Sequence, residues 1–377
     1  MKKYKLGDVI RKVEGNKNKQ LKDLPLLGIN IEKEFMPSVA NTIGTDMSNY
    51  QIVKKEQFAC NPMHLGRDER MPTALLLDRD EILVSPAYFV FEIIDKNIIL
   101  PEYLMLYFKR PETDRLLWFK TDSSVRGGLG WNEFCAVELS IPSIEKQKKI
   151  VEQYNQITES IRIKERLNNN LEQQAQVIFK SWFVDFEPFN RVMPSNWEIS
   201  DIYNVADIIY GAPFSSNLFN TDKKGTPSIR IRDLKTQKFI TYTEEIHPRG
   251  YYLSLGDIVV GMDGEFKPYF WSNNKAWLNQ RVCVFQNKNP LDKAFVYYSI
   301  KPLLQEVEQT EVATTVIHIG KNDFDLFKII LPSRDVLDKF GNLTSPIIKS
   351  IINNKFESLK LEKLRDILLP KLMLEES

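Results

Sequence analysis

The residues of this 377-residue chain best spaced for catalysis are Asp257 and the run Glu265-Phe266-Lys267. Two carboxylates and a lysine in that order can hold a Mg²⁺ ion and steady a scissile phosphate. Glu265, however, directly follows the glycine turn from Gly261 to Gly264, and the first half of the chain holds no copy of the set. A Mg²⁺-dependent nuclease is therefore the lesser alternative. A different chemistry, hydrogen bonding to base edges, needs arginine or lysine for guanine and asparagine or glutamine for adenine, on loops that reach a groove. Such side chains cluster. Asn61, His64, Arg67 and Arg70 crowd a stretch broken by Pro62, Gly66 and Pro72, and Ser123, Ser124 and Arg126 precede a glycine loop. The second half offers Lys223 and Lys224, Arg230 and Arg232, Lys267 with Tyr269 and Trp271, and Asn279, Gln280 and Arg281; Thr314, Thr315 and His318 follow where Ser124 and Gly128 stand in the first half. Each of these taken singly also fits a solvated charge, but as clusters they are the candidate DNA contacts.

Other chemistry finds little support. No phosphate-binding G-x-x-x-x-G-K-[ST] loop occurs. Asn61-Pro62-Met63 begins like the N-P-P-Y motif of adenine methylation but lacks the second proline and the aromatic residue. His64, His247 and His318 are too scattered for a metal site. Cys60, Cys135 and Cys283 form neither a disulfide framework nor a metal-binding pair. No catalytic residue, metal or cofactor is expected. A net charge of +1 means that DNA contact must rest on local basic clusters or on partners that supply charge. No apolar run approaches the ~18 residues that span a bilayer, and Met1-Lys2-Lys3-Tyr4 enters a strand-like segment with no apolar signal core. The expected setting is the cytoplasm, without a membrane.

The elements that must carry these clusters come in duplicate. Gly130-Trp131-Asn132-Glu133-Phe134 leads to Leu139-Ser140-Ile141-Pro142-Ser143, and Gly320-Lys321-Asn322-Asp323-Phe324 leads to Ile329-Ile330-Leu331-Pro332-Ser333, at a constant offset of 190 residues. Each block hands the chain to a long helical pattern, so the repeat implies a duplicated domain. Ahead of the blocks the match is loose: Tyr4 to Asp8 resembles Trp197 to Asp201 at an offset of 193. In the first helix Ile150, Tyr154, Ile157, Ile161, Leu171, Ala175, Ile178 and Trp182 fall at steps of four and three, with Lys164 and Asn168 polar in the middle. In the second, Phe340, Thr344, Ile347, Ile351, Leu361, Leu368 and Leu372 repeat the spacing, with Asn354 and Ser358 at the central places. A stripe at that spacing is a coiled-coil seam, and a polar interruption in it fixes register. A two-fold relation between the repeats lays the helices antiparallel, each roughly 60 Å long at 1.5 Å per residue. The expected fold class is α+β: two pseudo-symmetric mixed heads, 1–143 and 197–333, with long helices at 144–186 and 334–377 and a linker at 187–196. Within the heads, strands are expected over 82–84, 88–93, 227–233 and 280–285, a strand ending in a glycine-flanked turn over 256–264, and a helix with proline at its first position over 101–108. Trp182 and Phe183 fit either a partner contact or burial where helix meets head.

Together these strings resemble the specificity subunits of type I restriction-modification systems. Phe179-Lys180-Ser181-Trp182-Phe183-Val184-Asp185-Phe186-Glu187-Pro188 is similar to the end of the family's central conserved region. Gly225 to Leu234, Gly256 to Phe266 and Leu278 to Val282 are similar to its second-half recognition domains. Phe58-Ala59-Cys60-Asn61-Pro62-Met63, followed by Val84 to Phe91, resembles a common first-half type. The resemblance covers essentially the whole chain. It implies two target recognition domains, each reading half of a split double-stranded DNA target, and antiparallel helices that set the spacer. It also implies two methyltransferase (modification) subunits docked on the helices, with restriction-translocase subunits joining them and all catalysis in those partners. A coiled-coil adaptor that joins two proteins without DNA is the alternative.

Overall fold

The computed structural model describes residues 2–38, 44–63, 65–121, 128–264, 266–310 and 318–374, without the side chains of Gly66, Arg67, Thr310 and Leu374. The chain divides into two compact units, one of residues 1–158 with 364–377 and one of residues 159–363.

Both units are built on the same four-stranded antiparallel sheet. In the first unit its order is Ile10–Lys12, Phe89–Ile93, Phe58–Cys60, Thr73–Leu75. In the second it is Ala206–Tyr210, Val282–Asn287, Ile258–Gly261, Pro268–Phe270. Beside it, Lys2–Lys5 pairs antiparallel with Glu138–Ile141, and Glu198–Asp201 pairs likewise with Lys328–Leu331. Valine, isoleucine and phenylalanine dominate these strands because their branched or aromatic side chains fill a pleated, half-buried face. The topology corrects the expected alignment of the heads. Leu6 N donates to Val137 O and Ile202 N to Phe327 O, so Leu6 corresponds to Ile202, an offset of 196 rather than 193. A cap accounts for the looseness, since Asp8 accepts the backbone N–H of Lys5 at 2.8 Å to close a short turn that the second unit builds differently.

The expected strand over 227–233 is also corrected. Strand Thr226–Ile229 stops at Arg230, whose N–H donates to the Asp233 carboxylate at 3.0 Å and opens a 3-10 turn, Ile231–Asp233. An acidic side chain three residues on competes with the ladder for that N–H. The helix Pro101–Phe108 has its proline at the first position, where the missing N–H leaves no bond unmade. Among the described residues no helix is long and apolar enough to cross a membrane.

The two long helices are Ile144–Phe183 and Arg334–Leu374. Ser143 caps the first, its hydroxyl accepting Lys146 N–H at 3.4 Å. Within the second unit they pair antiparallel. Phe183 stacks edge-on against Phe340 at 4.8 Å, and further along the Asn354 amide donates to Asn168 Oδ1 at 2.9 Å. Asn168 Nδ2 donates in turn to Ile351 O at 3.0 Å, and Lys164 pairs with Glu357. The polar interruption is thus a clasp whose members bond one another. Within the first unit, Ile150 and Tyr154 share a core with Leu369 and Met373.

That core is aromatic: Phe58 stacks on Phe91 at 4.9 Å and Phe108 on Phe134 at 5.7 Å. In the second unit Phe183 is buried among Phe295, Phe340 and Trp197, whereas Trp182 is half-buried against Phe189 and Phe340.

Candidate nucleic-acid interface

In the second unit three stretches of backbone converge beyond the end of strand Ile258–Gly261. Met262 N donates to Arg281 O at 2.8 Å, Ile319 N donates to Met262 O at 2.9 Å, and Asp263 forms an antiparallel bridge with His318. The arrangement brings Arg281 and His318, which lie far apart in sequence, to one carboxylate. Asp263 Oδ1 lies 2.5 Å from His318 Nδ1, and its Oδ2 lies 3.9 Å from Arg281 Nε. Asp263 is 21% exposed, while Arg281 and His318 are 55% and 54% exposed. The acid is therefore the recessed member and the two donors project. Arg281 has a φ of +69°, a left-handed conformation uncommon for a residue with a Cβ. Gln280, next to it, is exposed.

Asn279 is placed differently from its neighbours. It is buried, and its Oδ1 accepts Gln280 N–H at 2.7 Å. Gly211 lies against it so closely that an added Cβ would sit 1.9 Å from Asn279 O. Asn279 thus shapes the loop from within and is buried.

Lys223 and Lys224 occupy an exposed turn. Asn220 brackets it, accepting Lys224 N–H and donating to Lys224 O, both at 3.1 Å. Gly225, at φ +79°, lets the chain pass Thr243, whose carbonyl oxygen a Cβ would meet at 2.1 Å. Arg230 is held by Thr241, by the Phe219 ring at 5.9 Å and by Asp233, whereas Arg232 is exposed. Lys267 is exposed. Tyr269 is half-buried and helps to line a groove of about 210 Å³ with Asn168, Glu172 and Lys355.

In the first unit Asn61 serves a turn, its Oδ1 accepting Met63 N–H at 3.0 Å. Arg70 lines an open groove of about 920 Å³ with Lys109, Arg115, Tyr154 and Arg365. The floor of that groove holds a buried ion pair unseen in the sequence. Lys33 Nζ lies 2.6 Å from Asp114 Oδ1 and also donates to Phe108 O, and the same carboxylate oxygen accepts Met71 N–H at 3.1 Å. Burial holds the Lys33 ammonium below its ordinary pKa, and the Asp114 charge opposes that shift. His64, Ser123, Ser124, Arg126, Thr314 and Thr315 lie outside the described residues, as does the side chain of Arg67.

Of the acid–lysine set, Asp257 and Lys267 are described, and among the described residues no group of three or more His, Cys, Asp or Glu could hold a metal ion. Asp257 Oδ2 accepts Ser254 N–H at 2.8 Å and the Tyr251 hydroxyl at 3.1 Å, and burial raises its pKa. Glu265 lies outside the described residues.

On the helices, Ile150, Tyr154, Ile161 and Ile351 are buried, and Ile157, Leu171, Ile178, Trp182, Ile347, Leu361 and Leu368 are half-buried. Ile348, Ile352, Leu359, Leu369 and Met373 are buried beside them, so the inward stripe of the second helix is broader than the expected seam.

Asp263 was the residue that reasoning from sequence missed. As an acid it falls outside the arginine, lysine, asparagine and glutamine types sought as donors to guanine and adenine, and its partners are 18 and 55 residues away.

Comparison with known families matches residues 1–173 and 194–361 to the type I restriction modification DNA specificity domain, one copy in each half of the chain. The type I restriction enzyme MjaIX specificity subunit of Methanocaldococcus jannaschii is 27% identical over 309 residues, which span 75% of this chain and 71% of that protein. The HindI specificity subunit of Haemophilus influenzae is 24% identical over 379 residues, 78% of this chain and 81% of the relative. Among solved structures, the type I restriction-modification system S subunit from M. genitalium is similar in fold, with a TM-score of 0.57 at 13% identity, covering 100% of this chain and 96% of that one.

Proposed function

The chain belongs to the family of type I restriction-modification DNA specificity subunits, and from that premise we propose how its parts divide the work. Each head, 1–143 and 197–333, reads one half of a bipartite double-stranded DNA target. The helix pair at 144–186 and 334–377 sets the unspecified spacer and docks two modification subunits. Restriction-translocase subunits join that core, and methylation and cleavage take place in those partners, in the cytoplasm. The observation that carries this reading is the doubled specificity domain, each copy ending on a long helix.

The exposed donors are the reading residues of the second head: Lys223 and Lys224 for phosphate, and Arg232, Lys267, Gln280, Arg281 and His318 for phosphate or base edges. Asn61 and Arg70 are the candidates of the first head whose side chains are described. Near-neutral net charge fits a chain whose partners clamp much of the DNA backbone, because phosphate contacts elsewhere come from surplus lysine and arginine.

The test is methylation mapping. The chain is co-expressed with its modification subunit, and methylated adenines are read by long-read sequencing of host DNA. The expected result is a bipartite motif with a fixed gap, changed in one half only when residues before Pro142 are exchanged. Methylation at one continuous motif, or none that depends on the chain, would turn the reading toward a protein-joining adaptor.

A further inference from the structure

We infer that Asp263 is a positioning residue that aims Arg281 and His318 at a guanine in the half-site read by the second unit. The inference rests on the proposed function and extends it to one base pair. A free arginine samples many rotamers, and ordering a long side chain costs about 1–2 kcal/mol. A carboxylate beside the guanidinium biases its orientation in advance, here by a 3.9 Å ionic contact at Nε that leaves the N–H groups for the fork matching guanine O6 and N7. Asp263 is placed to do this: recessed, with one oxygen toward Arg281 and the other on His318.

The backbone adds a second constraint. Arg281 has a φ of +69°, and its carbonyl is fixed by Met262 N–H at 2.8 Å. Strained conformations of this kind persist where the surroundings over-determine them, commonly at ligand clamps. His318 Nδ1 is engaged by Asp263, which leaves Nε2 for the ligand. The exposed Gln280 adjoins the pair as a further amide reader.

The experiment compares the wild-type chain with Asp263→Asn, Asp263→Glu, Arg281→Ala and Arg281→Lys, each in complex with the modification subunit. Binding is measured by fluorescence anisotropy on duplexes carrying the mapped target, with each base pair of the second half-site substituted in turn. Arg281→Ala and Arg281→Lys are expected to lose discrimination at one G·C pair by roughly 5- to 150-fold, the range for a bidentate contact, and to keep it elsewhere. Asp263→Asn should relax the same position, and Asp263→Glu should restore part of it. Arg281→Lys retains the charge without the fork and tests the base contact itself; if Asp263→Asn does not fold, Asp263→Glu decides the positioning role, because moving the carboxylate by one methylene should weaken discrimination at that same pair and at no other. A uniform loss over all positions in the Arg281 variants, with a shallower salt dependence, makes Arg281 a phosphate contact and overturns the inference. Relaxation by Arg281→Ala with no effect of Asp263→Asn removes Asp263 from it. A wild-type chain that directs no bipartite methylation overturns the proposed function as well.

Discussion

Removing the asparagine clasp between the long helices is expected to have opposite effects depending on whether one partner or both are replaced. Asn168 gives two hydrogen bonds, one to Ile351 O at 3.0 Å and one from Asn354 at 2.9 Å. A neutral hydrogen bond contributes about 0.5–1.5 kcal/mol net, so Asn168→Ala costs about 1–3 kcal/mol and strands a half-buried Asn354 amide. Replacing both asparagines by leucine removes polar groups from the seam together and is expected to be neutral or stabilising. What that double variant loses is register. If the helices slipped by one heptad, Asn168 would lie opposite Leu361 or Ile347, and Asn354 opposite Ala175 or Ile161. Two amides without partners cost about 1–3 kcal/mol each, so the clasp disfavours a slipped register by about 2–6 kcal/mol. Hydrogen exchange on the full chain reads the first effect. Amide protection around residues 165–171 and 351–357 should fall roughly 5- to 150-fold in Asn168→Ala and recover in the double variant. Methylation mapping reads the second: the double-leucine variant should accept more than one spacer length, with both half-sites unchanged. Equal protection loss in the single and double variants, together with an unchanged spacer, would refute the reasoning.

Three further outcomes are expected. Insertion of one heptad into each long helix should lengthen the preferred spacer by about three base pairs, since seven residues add about 10 Å and base pairs rise about 3.4 Å; an unchanged spacer in the methylation map removes the ruler. Lys33→Met should destabilise the first unit by about 3–5 kcal/mol in urea unfolding, because it leaves Asp114 charged, buried and unpaired; Lys33→Met with Asp114→Leu should recover much of that loss. Iodoacetamide should label at most Cys135 in the native chain, because Cys60 and Cys283 are fully buried and burial pushes all three thiols above their ordinary pKa; ready labelling of Cys60 or Cys283 would contradict the packing described here.

The parts of this molecule legible in its sequence are those written in local patterns. The long helices announce themselves by steps of four and three, and strands such as Phe89–Ile93 by their aromatic and branched residues. Arg230 to Asp233 misled because alternation carries no sign of a carboxylate folding back on an N–H three residues earlier. The first-head alignment slipped because Asp8 and Asp201, alike in sequence, do different local work: one caps a turn and the other sits in a strand opposite Lys328. The candidate contacts divided in the same way. Gln280 and Arg281 project while Asn279, adjacent and of a reading type, is buried as a brace, because residue type does not encode which side of a loop faces in. Lys33 with Asp114, and Asp263 with its two donors, are long-range juxtapositions that only the fold creates.

The division of the chain into units has a consequence for its synthesis. The second unit is one continuous segment, Glu159–Lys363, whereas the first is completed by residues 364–377, whose Leu369 and Met373 join Ile150 and Tyr154 in its core. A ribosome making about 5–20 residues per second takes roughly 10–40 s to pass from one part of the first unit to the other. Throughout that interval the nascent chain holds an apolar helix face without its cover, and the later-made unit is complete at Lys363, before that cover is made. The head translated first is therefore the one finished last, and the one that most needs shielding by a chaperone on the way.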